Sequence, residues 1–242
     1  TASPKGNFED PMHGGGSNGN SSDGYWNGGA QQPTYISRID YSNDTAIATR
    51  RAYQSSNFKR GNVGTGSRIQ GFDSLTAANI INPDSETGSG YWAHQYDTTF
   101  DWNSEYVGTG PAYGYFAGGY QPGGSQSGVE RIDYGNDTAT AAAKGPLSEA
   151  THHFAGGTGN ASYGYVAAGG YPYKSTVQRI DYGNDTATAV AKGPLTRVGG
   201  FVACTGNASY GYWGGGAWPG PNSLIDRVDY SNDTPTALLK GN

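Results

Sequence analysis

The sequence predicts an all-β fold, a β-propeller of four-stranded blades, on three observations. The first is a period. A Gly followed a few residues later by Gly-Tyr or Gly-Phe recurs at Gly19 with Gly24-Tyr25, Gly66 with Gly71-Phe72, Gly110 with Gly114-Tyr115, Gly159 with Gly164-Tyr165 and Gly206 with Gly211-Tyr212. The leading glycines step by 47, 44, 49 and 47 residues, and Arg38, Arg131, Arg179 and Arg227 each open an Arg-Ile-Asp or Arg-Val-Asp on the same spacing. A period of this length belongs to solenoids, propellers and arrays. The second is what fills it: four short stretches of strand character separated by turn residues, with no window of helical periodicity, which fits a propeller blade. The third is composition. Gly makes up 41 of 242 residues and charge is only 14%, yet there are 19 Tyr and 5 Trp. Disordered chains are poor in aromatics. Here rings supply area to bury, and glycines let backbones approach.

Five units follow, at approximately 6–51, 52–98, 99–145, 146–193 and 194–241, forming one domain over 1–242 of about five blades. The unit at 146–193 shows the pattern best. Strand one is expected near 153–156, strand two at 163–168, strand three at 177–182 and strand four at 186–192. In strand three Ile180 and Tyr182 fall on one face, Arg179 and Asp181 on the other. Gly183-Asn184-Asp185 is hairpin chemistry, and Lys192-Gly193-Pro194 and Gly169-Gly170-Tyr171-Pro172 are further breaks.

From the N-terminus, residues 1–5 read as the fourth strand of a preceding or closing blade, because TASPKGN resembles the TALLKGN at 236–242. With no initiator Met, the chain reads as a portion of a longer repeat array. In the first unit a weak strand and loop occupy 6–23, followed by strands at 25–30, 35–41 and 45–51, with Arg50-Arg51 where other units carry Lys. The second unit diverges: strands are expected at 69–75, 78–82 and 91–98, a turn at 83–90, and 100–106 (FDWNSEY) adds aromatics and acids. In the last unit 234–240 is strand four.

A chain of this size suits one large all-β domain. The net charge of −5 offers no basic footprint for nucleic acid. No apolar run is long enough for a transmembrane helix, and no signal peptide is visible. Cys204 has no second cysteine to bridge and takes the strand-one place of Gly157, as a small packing residue.

Few residues suggest chemistry. His152 and His153 are adjacent, so on a strand they face opposite ways and do not chelate one ion. His13 and His94 lie in other units. No metal and no cofactor is expected. The repeated carboxylates Asp40 and Asp44, Asp133 and Asp137, Asp181 and Asp185, Asp229 and Asp233 lack the spacing of a calcium loop and read as turn residues. The Arg–Asp pairs on one strand face, such as Arg131 with Asp133, read as structural ladders. The Asn-X-Ser/Thr triplets at Asn20, Asn43, Asn136, Asn160, Asn184, Asn207 and Asn232 coincide with repeat turns.

The stronger functional signal is the loop between strands two and three, which sets an aromatic beside Pro: Tyr120-Gln121-Pro122, Tyr171-Pro172-Tyr173 and Trp218-Pro219, with Gln32-Pro33-Thr34-Tyr35 as a variant. In a meander this loop shares a face with the strand four-to-one connection. Tyr35, Tyr120, Tyr171, Tyr173 and Trp218 are therefore candidate ligand-binding residues, suited to stacking on sugars or docking a protein. The other reading is that they cap the ends of blades.

The Gly-Gly after the aromatic strand, with Tyr and Trp at fixed positions, resembles kelch-type blades. The segments ERIDYGNDTATAAAKGPL (130–147), QRIDYGNDTATAVAKGPL (178–195) and DRVDYSNDTPTALLK (226–240) look like repeats of kelch-type propellers in marine bacteriophage tail fibres and other virion appendages. The resemblance implies a non-enzymatic structural or host-recognition module, extracellular or on a virion. Its implied partners are other virion or surface proteins or a glycan, with a homo-oligomer possible and no nucleic acid or membrane insertion. The alternatives are a secreted bacterial lectin or adhesin with the same fold and, further off, a kelch-type enzyme such as a glycan lyase or a copper oxidase with a Tyr–Cys crosslink. The Tyr-His partners of that crosslink are not beside Cys204 in sequence.

Overall fold

The computed structural model describes residues 5–8, 16–19, 22–27, 35–53, 63–66, 113–121, 123–152, 155–169, 172–217 and 220–241. Its described part is all-β, a propeller-like ring of four small antiparallel sheets. The first blade is β1 (Gly16–Gly19), β2 (Asp23–Asn27), β3 (Tyr35–Asp40) and β4 (Thr49–Tyr53). The second is β5 (Val63–Gly66), β6 (Tyr113–Ala117), β9 (Val129–Asp133) and β10 (Ala142–Lys144), with a small hairpin of β7 (Tyr120–Gln121) and β8 (Gly124–Ser125) between β6 and β9. The third is β11 (Gly156–Gly159), β12 (Tyr163–Ala167), β13 (Val177–Asp181) and β14 (Val190–Lys192). The fourth is β15 (Ala203–Gly206), β16 (Tyr210–Gly214), β17 (Ile225–Asp229) and β18 (Leu238–Gly241). Each blade is a meander in strand order one-two-three-four, and the first strands β1, β5, β11 and β15 pack against one another in that sequence.

Among the described residues there are four blades, where about five were expected. The repeat anchors group Gly110 with Gly114, but Gly66 is the residue paired with Gly114. The reason is legible in the chain, since Val-Gly-Thr-Gly occurs at 63–66 and again at 107–110. Strand one of the second blade therefore comes from the earlier copy. The strands expected at 69–75, 78–82 and 91–98 lie outside the described residues. Strand one of the third blade is also displaced, from 153–156 to Gly156–Gly159, because a Gly-rich edge lets Gly159 sit opposite Gly164. The fourth strands are shorter than expected, three residues in β10 and β14.

The core lies between blades. One cluster joins Tyr25, Ile36 and Ala52 of the first blade to Phe116, Ile132 and Ala141 of the second. A second joins Tyr115, Val129 and Leu147 to Val166, Ile180 and Ala189. A third joins Tyr165, Val177 and Leu195 to Trp213, Val228 and Ala237. Burying one such large side chain contributes about 1.5–3 kcal/mol.

A polar joint accompanies each cluster, and it assigns a role to nearly every letter of the repeated RIDYGND. The first Asp caps a short 3-10 turn: Asp133 and Asp181 accept from the Gly135 and Gly183 amides, each two residues on. The Tyr stacks on a strand-two Tyr of the preceding blade, Tyr134 on Tyr25, Tyr182 on Tyr115 and Tyr230 on Tyr165, with centroids 4.7, 4.7 and 4.5 Å apart. The Asn accepts from a Thr two residues on, as Asn136 does from Thr138. The second Asp is the acceptor of the joint. Asp185 Oδ2 takes the Tyr115 hydroxyl at 2.9 Å and Arg131 at 2.7 Å, while its Oδ1 lies 3.1 Å from Lys144 Nζ. Asp233 repeats this with Tyr165 at 2.9 Å, Arg179 at 2.8 Å and Lys192 at 3.0 Å. Asp137 repeats it with Tyr25 and Arg38, both at 3.1 Å, and Arg51 at 2.8 Å.

Of the structural ladders expected between or within blades from Arg131, Asp133 and their equivalents, the structure shows one between blades, with the arginine on the turn carboxylate of the next blade and not on Asp133. The Arg131 guanidinium lies over Tyr113 at 3.9 Å, and Arg179 and Arg227 lie likewise over Tyr163 and Tyr210, so the cross-strand Tyr aims it. The carboxylates are buried but each meets two cations and a hydroxyl, the condition under which buried charge is tolerated. Burial works against the charge on Asp233, but hydrogen bonds from Lys192 and Tyr165 and the Arg179 charge outweigh it and hold its carboxyl below the usual range. The buried Tyr115 and Tyr165 hydroxyls are driven above their ordinary range, by burial first and then by the adjoining carboxylate.

The Lys-Gly that ends strand four completes the joint. Gly145 and Gly193 donate to the Asp185 and Asp233 carbonyls at 2.8 and 2.9 Å, and Ala189 and Ala237 return bonds to the Pro146 and Pro194 carbonyls. A Cβ on Gly193 would collide with the Pro235 carbonyl oxygen, so close approach requires glycine here. Residues 5–8 make the same joint on the first blade. Gly6 donates to the Asp44 carbonyl at 2.6 Å, Ala48 donates to the Asn7 carbonyl, and Lys5 Nζ lies 3.2 Å from Asp44 Oδ1. The N-terminal segment thus fills the place of a preceding blade's strand-four exit.

Candidate recognition rim

In the second, third and fourth blades the loops between strands two and three gather on one rim, and the cause is local. Strand two ends in a residue of left-handed backbone, Gly118 (φ 64°), Ala168 (φ 63°) and Gly215 (φ 67°), followed by Gly119, Gly169 and Gly216 with φ of 106°, 131° and 120°. This pair turns the chain sharply off the sheet. Glycine adopts such a backbone without penalty, whereas Ala168 carries strain of order 1 kcal/mol. It is held there by burial against Trp213 and its neighbours.

Each loop is then pinned to the connection that follows strand four. In the second blade Gln126 and Thr151 exchange backbone bonds, Thr151 N to Gln126 O at 2.9 Å and Gln126 N to Thr151 O at 3.3 Å, and Leu147 donates to Ser127 O at 2.7 Å. In the third, Gly199 donates to Lys174 O, Gly169 to Gly199 O, and Leu195 to Ser175 O. In the fourth, Ala217 donates to Gly200 O, and Arg197 donates to the Gly215 and Leu224 carbonyls. The expectation that the two kinds of loop share a face holds for these three blades.

Of the five candidate residues, Tyr120 and Tyr173 are on this rim and half-buried. Tyr120 opens the β7–β8 hairpin, paired with Ser125, and its ring lies 4.5 Å from that of His152 at 43°. Tyr173 precedes Lys174, whose ammonium lies 2.8 Å from Glu149 Oε2 and donates to Ala150 O at 2.9 Å. Tyr171 and Trp218 lie outside the described residues. Tyr35 is different: it begins β3, is buried, and carries the Arg50 guanidinium 4.4 Å above its ring. Its ring face is taken by the protein itself, so it is not part of the rim.

Sequence reading missed Glu149 and Lys174. They occupy non-equivalent loop positions, so no period announces them. Burial works against the Glu149 charge, but the Lys174 hydrogen bond outweighs it and keeps the carboxylate ionised. Burial lowers the pKa of His152, so its imidazole is neutral at pH 7 and meets Tyr120 as an uncharged ring. The rim therefore carries half-buried aromatic rings on the loops that also hold a fixed carboxylate and an ammonium, residue types suited to stacking with hydrogen bonds to hydroxyls.

Cys204 lies away from these loops on β15, opposite Trp213, and its thiol donates to the Gly157 carbonyl at 2.8 Å. Burial pushes its pKa up to about 11, so at neutral pH it is a packed thiol. Among the described residues no group of three or more His, Cys, Asp and Glu side chains is arranged to hold a metal ion. No helix among the described residues is long and apolar enough to cross a membrane. No family model matches the chain, and no curated protein matches it.

Proposed function

We propose that the chain is a non-enzymatic recognition module of a virion or other extracellular surface assembly, and that its rim binds a surface glycan. The observation that carries the reading is the pinning of the loops of Tyr120 and Tyr173 to their neighbouring connections, beside the Lys174–Glu149 pair. Rings held on fixed loops lose little conformational freedom on binding, which favours stacking on a sugar. The virion setting rests on the resemblance of 130–147, 178–195 and 226–240 to repeats of phage appendages.

A glycan array probed with the intact chain and with Tyr120→Ala, Tyr173→Ala, Tyr171→Ala and Trp218→Ala variants tests this. Binding by the wild type that falls at least tenfold in the Tyr120 or Tyr173 variant, with circular dichroism unchanged, supports it. No binding to any glycan, or binding that all four variants retain, overturns it and makes another structural protein the partner of choice.

A further inference from the structure

The connection between β10 and β11 is where the loops of Tyr120 and Tyr173 meet. On one side Gln126 and Thr151 exchange backbone bonds, and the Tyr120 ring lies against that of His152. On the other, the ammonium of Lys174, the residue after Tyr173, reaches Glu149 Oε2 at 2.8 Å and the Ala150 carbonyl at 2.9 Å. Residues 149–152 are thus bonded to both loops. Among the described residues the ion pair of this seam is Glu149 with Lys174.

A buried side chain fixes the backbone of that carboxylate. Gln178 of β13 is 1% exposed, and its Oε1 accepts from the Glu149 amide and from Ser148 Oγ, both at 2.9 Å. By register the same place is held by Glu130 in the second blade and Asp226 in the fourth, both buried. Asp226 takes the Thr196 hydroxyl at 2.6 Å, as Gln178 takes that of Ser148. The residue that follows Thr196 is Arg197, whose guanidinium is taken up by the Gly215 and Leu224 carbonyls. The buried anchor therefore recurs, while among the described residues a carboxylate on the rim occurs at the seam of the second and third blades.

The Glu149 and Lys174 side chains are 33 and 24% exposed, so both reach solvent. An ammonium has three N–H bonds. Glu149 and Ala150 accept two, and among the described residues nothing accepts the third. A sugar hydroxyl can accept it. A sugar carboxylate in the same place is drawn by the ammonium and repelled by Glu149, and because the two charges are adjacent these effects largely offset. Stripping water from that carboxylate then goes uncompensated.

We infer that Glu149 sets the charge class of the glycan: this seam takes a neutral sugar and discriminates against uronic and sialic acids, and Gln178 is the positioning residue that holds Glu149 against Lys174. The inference rests on the reading of the rim as a glycan-binding face. A like charge set against the wrong ligand gives specificity without weakening the right one.

The test is binding of the intact chain to matched neutral and acidic glycans: galactan with polygalacturonate, glucose oligomers with glucuronate oligomers, and lactosamine without and with terminal sialic acid. The wild type is expected to favour the neutral member. Glu149→Gln keeps the shape and leaves the Lys174 charge unopposed. Affinity for the acidic member should rise about fivefold relative to the neutral one, the upper end for a partly exposed ion pair. Added salt should reduce that gain, and Glu149→Gln combined with Lys174→Met should abolish it. Gln178→Met should move the ratio the same way by a smaller step, whereas a merely structural loss weakens both members alike and removes the positioning role. A wild type that favours the acidic member, or a ratio that Glu149→Gln leaves unchanged, overturns the inference while the rim remains a glycan site. If no glycan of either kind binds, the reading of the rim fails and the inference falls with it.

Discussion

The turn aspartates are the same residue in the same repeat position, yet their environments differ enough to predict opposite outcomes for one substitution. Asp185→Ala strips the acceptor from the Tyr115 hydroxyl at 2.9 Å, Arg131 at 2.7 Å and Lys144 at 3.1 Å. The Tyr115 side chain is fully buried, and the two cations are left facing each other without a counter-charge. Removing one partner of a buried charge cluster costs about 3–5 kcal/mol. Tyr115→Phe deletes one donor and leaves Asp185 with both cations, so the loss is about 1.5 kcal/mol, that of a single hydrogen bond to a charged group. Asp44→Ala breaks only the Lys5 pair, whose side chains are 49 and 41% exposed. Solvent screens such a pair, and its loss costs about 0–1 kcal/mol. Urea unfolding followed by tryptophan fluorescence, at a dilution where the chain is single by sedimentation, gives all three values. The expected order is Asp185→Ala well above Tyr115→Phe, and Tyr115→Phe above Asp44→Ala. Equal losses for Asp44→Ala and Asp185→Ala would refute the reasoning, because they would mean that burial and partners do not set the cost.

Four other outcomes follow, three from the same joints and one from the buried thiol. Gly193→Ala should cost about 1–3 kcal/mol by overpacking against the Pro235 carbonyl, while Gly241→Ala, with open space around its Cβ, should change stability by less than about 0.5 kcal/mol; thermal unfolding compares them. Because the Tyr25, Tyr115 and Tyr165 pKa values are raised on folding, their contribution is whole below the unfolded tyrosine value of about 10 and is lost as pH rises through the folded values. Tyrosinate absorbance should therefore appear together with unfolding. Asp233 has the opposite sign: its lowered pKa adds stability above the unfolded value of about 3.9 that disappears as pH falls through the folded one. Cys204, with a pKa pushed up to about 11, should react with a thiol reagent at pH 8 on the order of 100-fold more slowly in the native chain than in urea, in line with its smaller thiolate fraction.

What was legible in the sequence was whatever the backbone period encodes. Strand two was expected at 163–168 and is Tyr163–Ala167; strand three was expected at 177–182 and is Val177–Asp181. Alternation and turn residues are local signals, and local signals place local structure. Asp137, Asp185 and Asp233 were hidden because Asn-Asp in a turn has a sufficient local explanation. Their burial comes from a neighbouring blade some fifty residues away, which no local pattern reports. The same holds for Gly-Gly after strand two. Its position was visible, but in the third blade the left-handed pair begins one residue earlier, at Ala168, which is buried with Trp213 of the fourth blade. Among the described residues the unit boundaries shift where the sequence offers Val-Gly-Thr-Gly twice, since 63–66 is the copy that pairs with the strand at Tyr113–Ala117. Of the rim, aromatics beside Pro could be read from the chain. The Lys174–Glu149 pair could not, since it joins two loops of unlike sequence.

A double-mutant cycle on Arg179 and Asp233 tests most directly the claim that one repeated joint holds successive blades together. Arg179→Gln, Asp233→Asn and the combination are measured by urea unfolding. The arginine lies 2.8 Å from Asp233 Oδ2 in a site where that side chain is 6% exposed, so a coupling of about 1–3 kcal/mol is predicted. A coupling within about 0.3 kcal/mol of zero would contradict the account, because the two residues would then act independently and the joint would not exist.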